Sequence, residues 1–212
     1  PTRKGDDFFM EQSVDKENPY IGEQLVLSIR FYQGVSLWNS APMQFPKYNG
    51  FMVEDLSPVP RYYVNINGRK YLVTEFKKAI FPILSDQLSI DSPQITIRPD
   101  DFGANMDPFS FFNQNTRDLF KRGQPKVITA NPIALRVRSL PGSGKPADFT
   151  GAVGKFKINV EADKDSVGVD EPITLKFTLT GTGNIKSIAT IKLPELSDFR
   201  VYESGSTESM SN

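Results

Sequence analysis

The 212-residue sequence contains neither cysteine nor histidine. Without thiols and imidazoles, the chain has no disulfide, no Cys/His zinc site, no cysteine nucleophile and no Ser-His-Asp triad. Its 25 basic and 25 acidic side chains balance to a formal net charge of zero. This balance argues against nucleic acid as a partner, because binding to phosphates needs a basic face.

Long hydrophobic runs are also absent. The longest candidate, residues 79–84, includes Pro82 and falls far short of the roughly 20 apolar residues of a membrane-spanning helix. Residues 1–5 do not read as a signal peptide, although they fit what remains after one is removed. The chain as given is therefore expected to be soluble.

Apolar residues alternate with a period of two, which predicts β-strands. Leu25, Leu27, Ile29 and Phe31 share one face of such a strand. The other predicted strands cover residues 8–14, 61–66, 69–74, 88–97, 133–137, 156–160, 173–179 and 199–202. Asn67-Gly68 between two of them predicts a hairpin with a type I′ turn. Short strands separated by 16 Pro and 15 Gly indicate an antiparallel β-sandwich, with a barrel as the alternative.

The chain also repeats itself with an offset of 148 residues, a sign of two related structural units. The aligned pairs keep one register: Phe8 with Phe156, Asp15 with Asp163, Leu27 with Leu175, Phe51 with Phe199, and Val53 with Val201. An Asp-Lys turn followed by Glu and a buried strand is typical of the first two strands of an immunoglobulin-like domain. We therefore interpret the charged residues of the two turns as structural, namely Asp15, Lys16, Glu23, Asp163, Lys164 and Glu171.

The predicted fold is all-β, with tandem immunoglobulin-like antiparallel β-sandwiches of which the second is truncated. The first sandwich covers residues 1–139 and includes a long Phe-rich loop at 99–124. Residues 140–152 form a linker with the expected turn formers. Residues 153–212 form a partial second domain without its last strands, because such a sandwich needs about 100 residues. We expect an open sheet edge there, covered by a neighbouring chain, by the first domain or by a crystal contact.

Several segments resemble signatures of one known family. Residues 14–16 with 21–24, residues 50–56, and residues 67–71 with 79–82 follow one another as an opening, a second signature and a hairpin. The most specific stretch is 135–141 with 144–154, and residues 181–185 continue it. In this order they resemble BatD, the bacterial oxygen-tolerance (aerotolerance) family, over nearly the whole chain.

The resemblance implies a protein on the periplasmic side of the bacterial inner membrane, anchored by a C-terminal transmembrane helix that this sequence does not contain. It implies protein partners, the von Willebrand A-type domain proteins of the Bat system, and membrane contact only through that helix. The family is not known for an enzymatic reaction. The predicted function is therefore a non-enzymatic scaffold or protein-interaction module without catalytic residues, metal or cofactor.

Three motifs resemble catalytic or metal sites, and each has a simpler interpretation. Residues 142–145 lack the Gly and the Ser or Thr of a phosphate loop. Residues 163–165 begin like a calcium loop, but its fifth and twelfth positions are Val167 and Thr174. Glu54 and Asp55 are adjacent, so a regular strand points them to opposite faces and they cannot flank one glycosidase cleft.

The most unusual segment is the Phe-rich loop, because loops of this length are uncommon. Leaving its Phe side chains in water forgoes roughly 1.5–3 kcal/mol of burial each. They are expected either to pack on their own domain, with a short helix at 109–120, or to form a docking patch for a protein. The predicted partner-binding residues are Phe102, Phe109, Phe111, Phe112, Phe120, Asp100, Asp101 and Asp107. One of these aspartates would supply a carboxylate to the metal site of a von Willebrand A-type partner.

The alternative function is a carbohydrate-binding β-sandwich module of the cell envelope. Trp38, Tyr48, Tyr62 and Tyr63 are the candidate rings for stacking on sugars. The two hairpin tyrosines are also favourable strand residues. A sugar platform requires exposed rings on one sheet face, which distinguishes the two functions.

Overall fold

The computed structural model describes residues 6–39, 42–98, 101, 125–146, 149, 151–188, 196–202 and 205–207. Within these ranges the regular structure is β-strand, apart from a 3-10 turn at Ile185–Ser187 and the 3-10 residue Asp101. All ladders between strands are antiparallel. The all-β antiparallel class predicted from the sequence is therefore confirmed.

The chain divides into two compact units. Unit 1 comprises residues 1–21 and 25–139, and unit 2 comprises residues 22–24 and 140–212. The predicted linker limits and the tandem immunoglobulin-like arrangement remain predictions.

Unit 1 contains a five-stranded sheet in which β6 is central. This sheet is built from β1 (Phe8–Val14), β2 (Leu25–Gln33), β4 (Phe51–Leu56), β5 (Arg61–Ile66) and β6 (Arg69–Pro82). Its order is β1-β2-β6-β4, and β5 also pairs with β6. The long β6 therefore pairs with β2 along one edge, and with β5 and then β4 along the other.

Two smaller sheets complete the described strands of unit 1. One pairs β7 (Asp86–Ile90) with β10 (Ile133–Val137). The other has the order β3-β8-β9, with β3 at Met43–Gln44, β8 at Gln94–Ile97 and β9 at Lys126–Thr129. Their apolar residues join those of the five-stranded sheet in one buried cluster that includes Leu25, Leu27, Ile29, Phe31, Ile80, Ile90, Ile97, Ile128 and Leu135. The core thus lies between two layers of strands, as in a β-sandwich.

Two local predictions have different outcomes. Asn67 and Gly68 have φ angles of 52° and 79°, so both turn positions have the positive φ that a type I′ hairpin requires. The predicted continuous strand at 88–97 is wrong, because β7 ends at Ile90 and β8 begins at Gln94. Pro93 lies between them, and proline cannot donate to a ladder, so the chain leaves one sheet and enters the other.

Unit 2 contains one described hairpin, formed by β11 (Gly154–Ala162) and β12 (Leu175–Gly183). The predicted strand at 199–202 is wrong, because these residues are described and are not β structure. The aligned segment of unit 1 is β4, which is held in the sheet by pairing with β6. No described strand pairs with residues 199–202, so their alternation alone does not produce a strand.

Candidate functional site

The 148-residue offset of the sequence reappears in the strand ladders. Phe8 pairs with Gln33 in unit 1, and Phe156 pairs with Gly181 in unit 2. At the other end, Val14 pairs with Leu27, and Ala162 pairs with Leu175. Both strands are shifted by the same number of residues, so β11 and β12 are the counterparts of β1 and β2.

The turn aspartates close the two hairpins in the same way. A carboxylate oxygen of Asp15 accepts the backbone N–H of Val26 at 2.8 Å. A carboxylate oxygen of Asp163 accepts the N–H of Thr174 at 2.7 Å. Such side-chain acceptors stabilise a turn by satisfying backbone donors. These two aspartates therefore have the structural role expected from the sequence.

One face of the unit 2 hairpin is apolar and partly exposed; we call it the hairpin face. It carries Phe156, Ile158, Val160, Leu175, Phe177 and Leu179, and the ladder places Ile158 opposite Leu179 and Val160 opposite Phe177. Ile158, Val160 and Leu175 are 55%, 50% and 41% exposed. Their counterparts include Met10 and Leu27, which are buried in the core of unit 1. A side chain that is core in one unit is thus at the surface in the other.

The opposite face of the same hairpin is polar and positively charged. Lys155, Lys157 and Lys176 lie on it, together with Glu161, and all four are exposed. Three ammonium groups against one carboxylate favour an acidic partner at this face.

The outer edge of β12 carries backbone groups as well as apolar side chains. The N–H of Asp163 donates to the carbonyl of Thr174 at 3.1 Å, so Thr174 directs its backbone groups toward β11. Because these directions alternate along an antiparallel strand, Leu175, Phe177 and Leu179 direct their N–H and C=O groups away from β11. No other described strand pairs with this edge. The hairpin face and the outer edge of β12 together form the candidate site.

The sequence predicts an open edge in this unit, but none of the residues of the candidate site is among the predicted partner-binding residues. The apolar alternation of β11 and β12, together with the 148-residue repeat, was the feature of the sequence that could have identified them. Leu175 aligns with Leu27, so a core-type residue is repeated in a unit with few described strands.

Most residues of the predicted partner-binding set lie outside the described residues. These are Asp100, Phe102, Asp107, Phe109, Phe111, Phe112 and Phe120. Asp101 is described, and its carboxylate accepts the backbone N–H of Arg98 at 2.7 Å. Its carbonyl oxygen accepts the N–H groups of Trp38 at 2.7 Å and Asn39 at 3.2 Å. Asp101 therefore ties two loop segments of unit 1 together.

The candidate sugar-binding rings do not form one platform. Tyr62 and Tyr63 are adjacent in β5 and point to opposite faces. Tyr62 donates its hydroxyl hydrogen to Glu75 at 3.2 Å, whereas Tyr63 is 64% exposed, with the Lys70 ammonium 4.1 Å from its ring centre. Trp38 is 78% exposed in a loop. Tyr48 is half-buried against the core of unit 1. The exposed rings among the four candidates are therefore Tyr63 and Trp38.

Polar groups on the five-stranded sheet are paired with one another. Glu75 accepts a hydrogen bond from Nε of Arg30 at 2.9 Å. The Tyr32 hydroxyl donates to Glu11 at 2.9 Å; burial, together with this hydrogen bond, raises the pKa of Tyr32 to about 12. The carboxylate of Asp55 contacts the buried Lys78 ammonium across the β4–β6 ladder. These polar groups are therefore paired within the sheet, and the pairs are explained without a bound ligand.

Within the described ranges, no group of three or more Asp, Glu, His or Cys side chains is arranged to hold a metal ion. In the same part of the chain, no helix has the length and apolar character needed to cross a bilayer.

One family model matches part of the chain. A family model described as the BatD DUF11 like domain matches residues 160–212. The resemblance to BatD noted from the sequence is thus confirmed over this stretch, which contains all of β12. Neither a curated protein nor a solved structure matches the chain. The family match supports a BatD-related function.

Proposed function

We propose that the chain is a non-enzymatic protein-interaction module, or scaffold, of the bacterial aerotolerance (Bat) system. It acts on the periplasmic side of the inner membrane and binds protein partners, with von Willebrand A-type domain Bat proteins as the expected class. The location and the partner class rest on the resemblance to BatD. The single observation that carries the binding role is the exposed hairpin face, of which Val160 and the residues of β12 lie within the BatD-matched stretch.

The physical argument concerns unburied apolar area. An isolated two-stranded hairpin is only marginally stable in water, and each apolar Å² removed from water contributes roughly 25 cal/mol. Ile158, Val160 and Leu175 are half-exposed side chains on one continuous face. Contiguous apolar surface of this kind marks interaction sites in soluble proteins.

A binding experiment tests the proposal. The 212-residue chain is immobilised and offered a purified von Willebrand A-type Bat protein, with retention measured by surface plasmon resonance. The double variant Ile158→Ser/Val160→Ser removes apolar area from the hairpin face and is expected to weaken binding at least about tenfold, since two half-buried anchors are worth about 1.4 kcal/mol or more.

The matched control changes the opposite face of the same strand. Lys157→Ser and Asn159→Ser alternate with the tested positions along β11, and the loss of one ammonium group is expected to alter binding by no more than a few-fold. Absence of retention by the unmodified chain, or equal loss in both double variants, would reject the hairpin face as the binding surface.

Carbohydrate binding is a second candidate at single rings rather than on one platform, because Trp38 and Tyr63 are each exposed. Calorimetry with cell-wall sugars measures it directly. Heat of binding that disappears in Trp38→Ala would favour this alternative, whereas no heat with the unmodified chain would remove it.

A further inference from the structure

Two lysine–threonine pairs lie side by side on the polar face of the unit 2 hairpin. The ladder places Lys155 opposite Thr182 and Lys157 opposite Thr180, and all four residues are exposed. Residues directly opposite each other in an antiparallel pair have Cβ atoms about 4.5–5.5 Å apart. An anion that contacts one of these lysines is therefore also within reach of a hydroxyl donor. We call these four residues the lysine–threonine row.

The positive charge of the polar face is concentrated in this row. Glu161, the carboxylate of the same face, lies opposite Lys176 and accepts a hydrogen bond from Nδ2 of Asn159 at 2.9 Å. Among the ion pairs between described residues, none includes Lys155 or Lys157. The two ammonium groups of the row are therefore available to an external anion.

Comparison with unit 1 shows that the repeat does not require charge at these positions. The counterparts of Lys157 and Thr180 are Phe9 and Tyr32, whose rings stack with centres 4.2 Å apart and are buried with Tyr71 in a small cluster. Lysine cannot take such a buried position without a charged partner. The row therefore contacts water or an anion, and this holds whatever strands pair with the hairpin.

The same comparison indicates the kind of group that the row binds. The counterpart of Lys155 is Asp7, whose carboxylate forms an ion pair with Arg69 of β6. In unit 2 the sign of the charge at this position is reversed. The group that complements the row is therefore a carboxylate or another anion.

The spacing of the row favours an extended chain as the source of that anion. Lys155 and Lys157 are two residues apart in β11, which corresponds to about 6.8 Å along a strand. Side chains at alternate positions of an extended peptide project from one side with the same spacing. Two acidic side chains placed in this way reach both lysines at once, whereas the headgroups of a fluid lipid surface have no fixed spacing.

We propose that the lysine–threonine row binds an extended acidic peptide segment with Asp or Glu at alternate positions. One carboxylate accepts hydrogen bonds from the Lys155 ammonium and the Thr182 hydroxyl, and the next accepts them from Lys157 and Thr180. The row lies on the side of the hairpin opposite to the hairpin face. This inference therefore goes beyond the proposed function and does not depend on it.

Two isomeric peptides test the spacing. Acetyl-Thr-Glu-Thr-Glu-Thr-amide places both carboxylates on one side of an extended chain, whereas acetyl-Glu-Thr-Thr-Glu-Thr-amide, with the same composition and charge, places them on opposite sides. Each is titrated into the ¹⁵N-labelled 212-residue chain at roughly 20 mM salt, where screening is weak, and amide shifts are followed by NMR. The alternating peptide is expected to shift the amides of the row and to bind about 2- to 5-fold more tightly than its isomer, the factor that one exposed ion pair provides.

A matched pair of variants on the same face tests the residues. Lys157→Gln removes a charge from the row, and Lys176→Gln removes the same charge at the position opposite Glu161. The first is expected to weaken binding of the alternating peptide about 2- to 5-fold and the second by less than about twofold. Thr180→Val keeps a β-branched strand residue but loses the hydroxyl, and is expected to weaken binding about 2- to 3-fold. The amide spectrum of each free variant checks that the hairpin persists, and the two peptides decide the matter on the unmodified chain if it does not.

Preference for the alternating peptide, reduced by Lys157→Gln more than by Lys176→Gln, supports the inference. Equal binding of the two peptides overturns it, because the spacing then has no role, and so does the absence of binding by either. Equal weakening by the two lysine variants would indicate diffuse attraction and would also overturn it. Binding to phosphatidylglycerol vesicles that is weakened by Lys157→Gln, without binding of either peptide, would assign the row to a lipid surface instead. Retention of a Bat protein by the hairpin face is measured separately, so these results leave the proposed function standing.

Discussion

Leu27 and Leu175 form a natural matched pair, because they are the same residue type at equivalent positions of the repeat. Leu27 has no exposed surface and lies in the core cluster of unit 1. Leu175 is 41% exposed on the hairpin face. Replacing each by alanine therefore removes the same atoms from two different environments.

The magnitudes follow from these burials. Leu→Ala removes three carbons, a transfer term of roughly 2.4 kcal/mol when the side chain is fully buried. At Leu27 a cavity term adds to it, so a loss of about 3–5 kcal/mol in unfolding free energy is expected. At Leu175, which is 41% exposed, the same term falls to about 1.4 kcal/mol at most, and no enclosed cavity is left.

Urea unfolding measures both changes. Six of the seven tyrosines lie in unit 1 and Tyr202 lies in unit 2, so near-UV circular dichroism reports mainly on unit 1, and the far-UV signal reports on both. With a slope of about 2 kcal/mol per molar urea, Leu27→Ala is expected to lower the near-UV midpoint by about 1.5–2.5 M. Leu175→Ala is expected to leave it unchanged. A loss from Leu175→Ala as large as that from Leu27→Ala, in any transition, would refute the assignment of an exposed hairpin face.

Two further effects are expected in unit 1. Asp15→Ala removes the acceptor that binds the N–H of Val26 at 2.8 Å and should cost about 1 kcal/mol. Asp15→Asn keeps a side-chain acceptor, and Asp163→Ala lies in unit 2, so neither control should move the near-UV midpoint. Equal shifts in all three variants would contradict the role of Asp15 in closing the turn. The pKa of Tyr32 is raised to about 12 by burial and by its bond to Glu11, so its contribution to stability is complete below pH 10 and is lost as the pH rises from 10 towards 12. Between pH 10 and 12, the free energy of unfolding measured by urea titration should therefore fall less in Tyr32→Phe than in the unmodified chain. An identical fall in both proteins would disprove the link between Tyr32 ionisation and stability.

Much of the strand pattern could be predicted because it depends on near neighbours. The alternation of Leu25, Leu27, Ile29 and Phe31 predicts β2 and its buried face, and both are observed. Asn67-Gly68 predicts a hairpin because positive φ at both positions is a local property of these residues.

The two wrong strand predictions concern segments whose structure depends on the strand with which they pair. Residues 199–202 alternate as β4 does, but β4 is a strand because Phe51 and its neighbours pair with β6. The run at 88–97 reads as one strand, but its two halves pair with different strands. A strand needs a neighbour for its backbone groups, and alternation does not specify that neighbour.

The candidate site shows the same division. The sequence alone established the amphipathic hairpin of unit 2, its closing Asp163 and its register relationship to β1 and β2, because turn chemistry and alternation are local. Only the tertiary structure decided that Leu27 is core and Leu175 is surface, since their local sequences are similar. Burial depends on strands that are distant in the chain. In unit 1, the strands that carry Ile90 and Ile128 pack with the hairpin of β1 and β2 in one core cluster. No described strand packs in this way on the hairpin of unit 2.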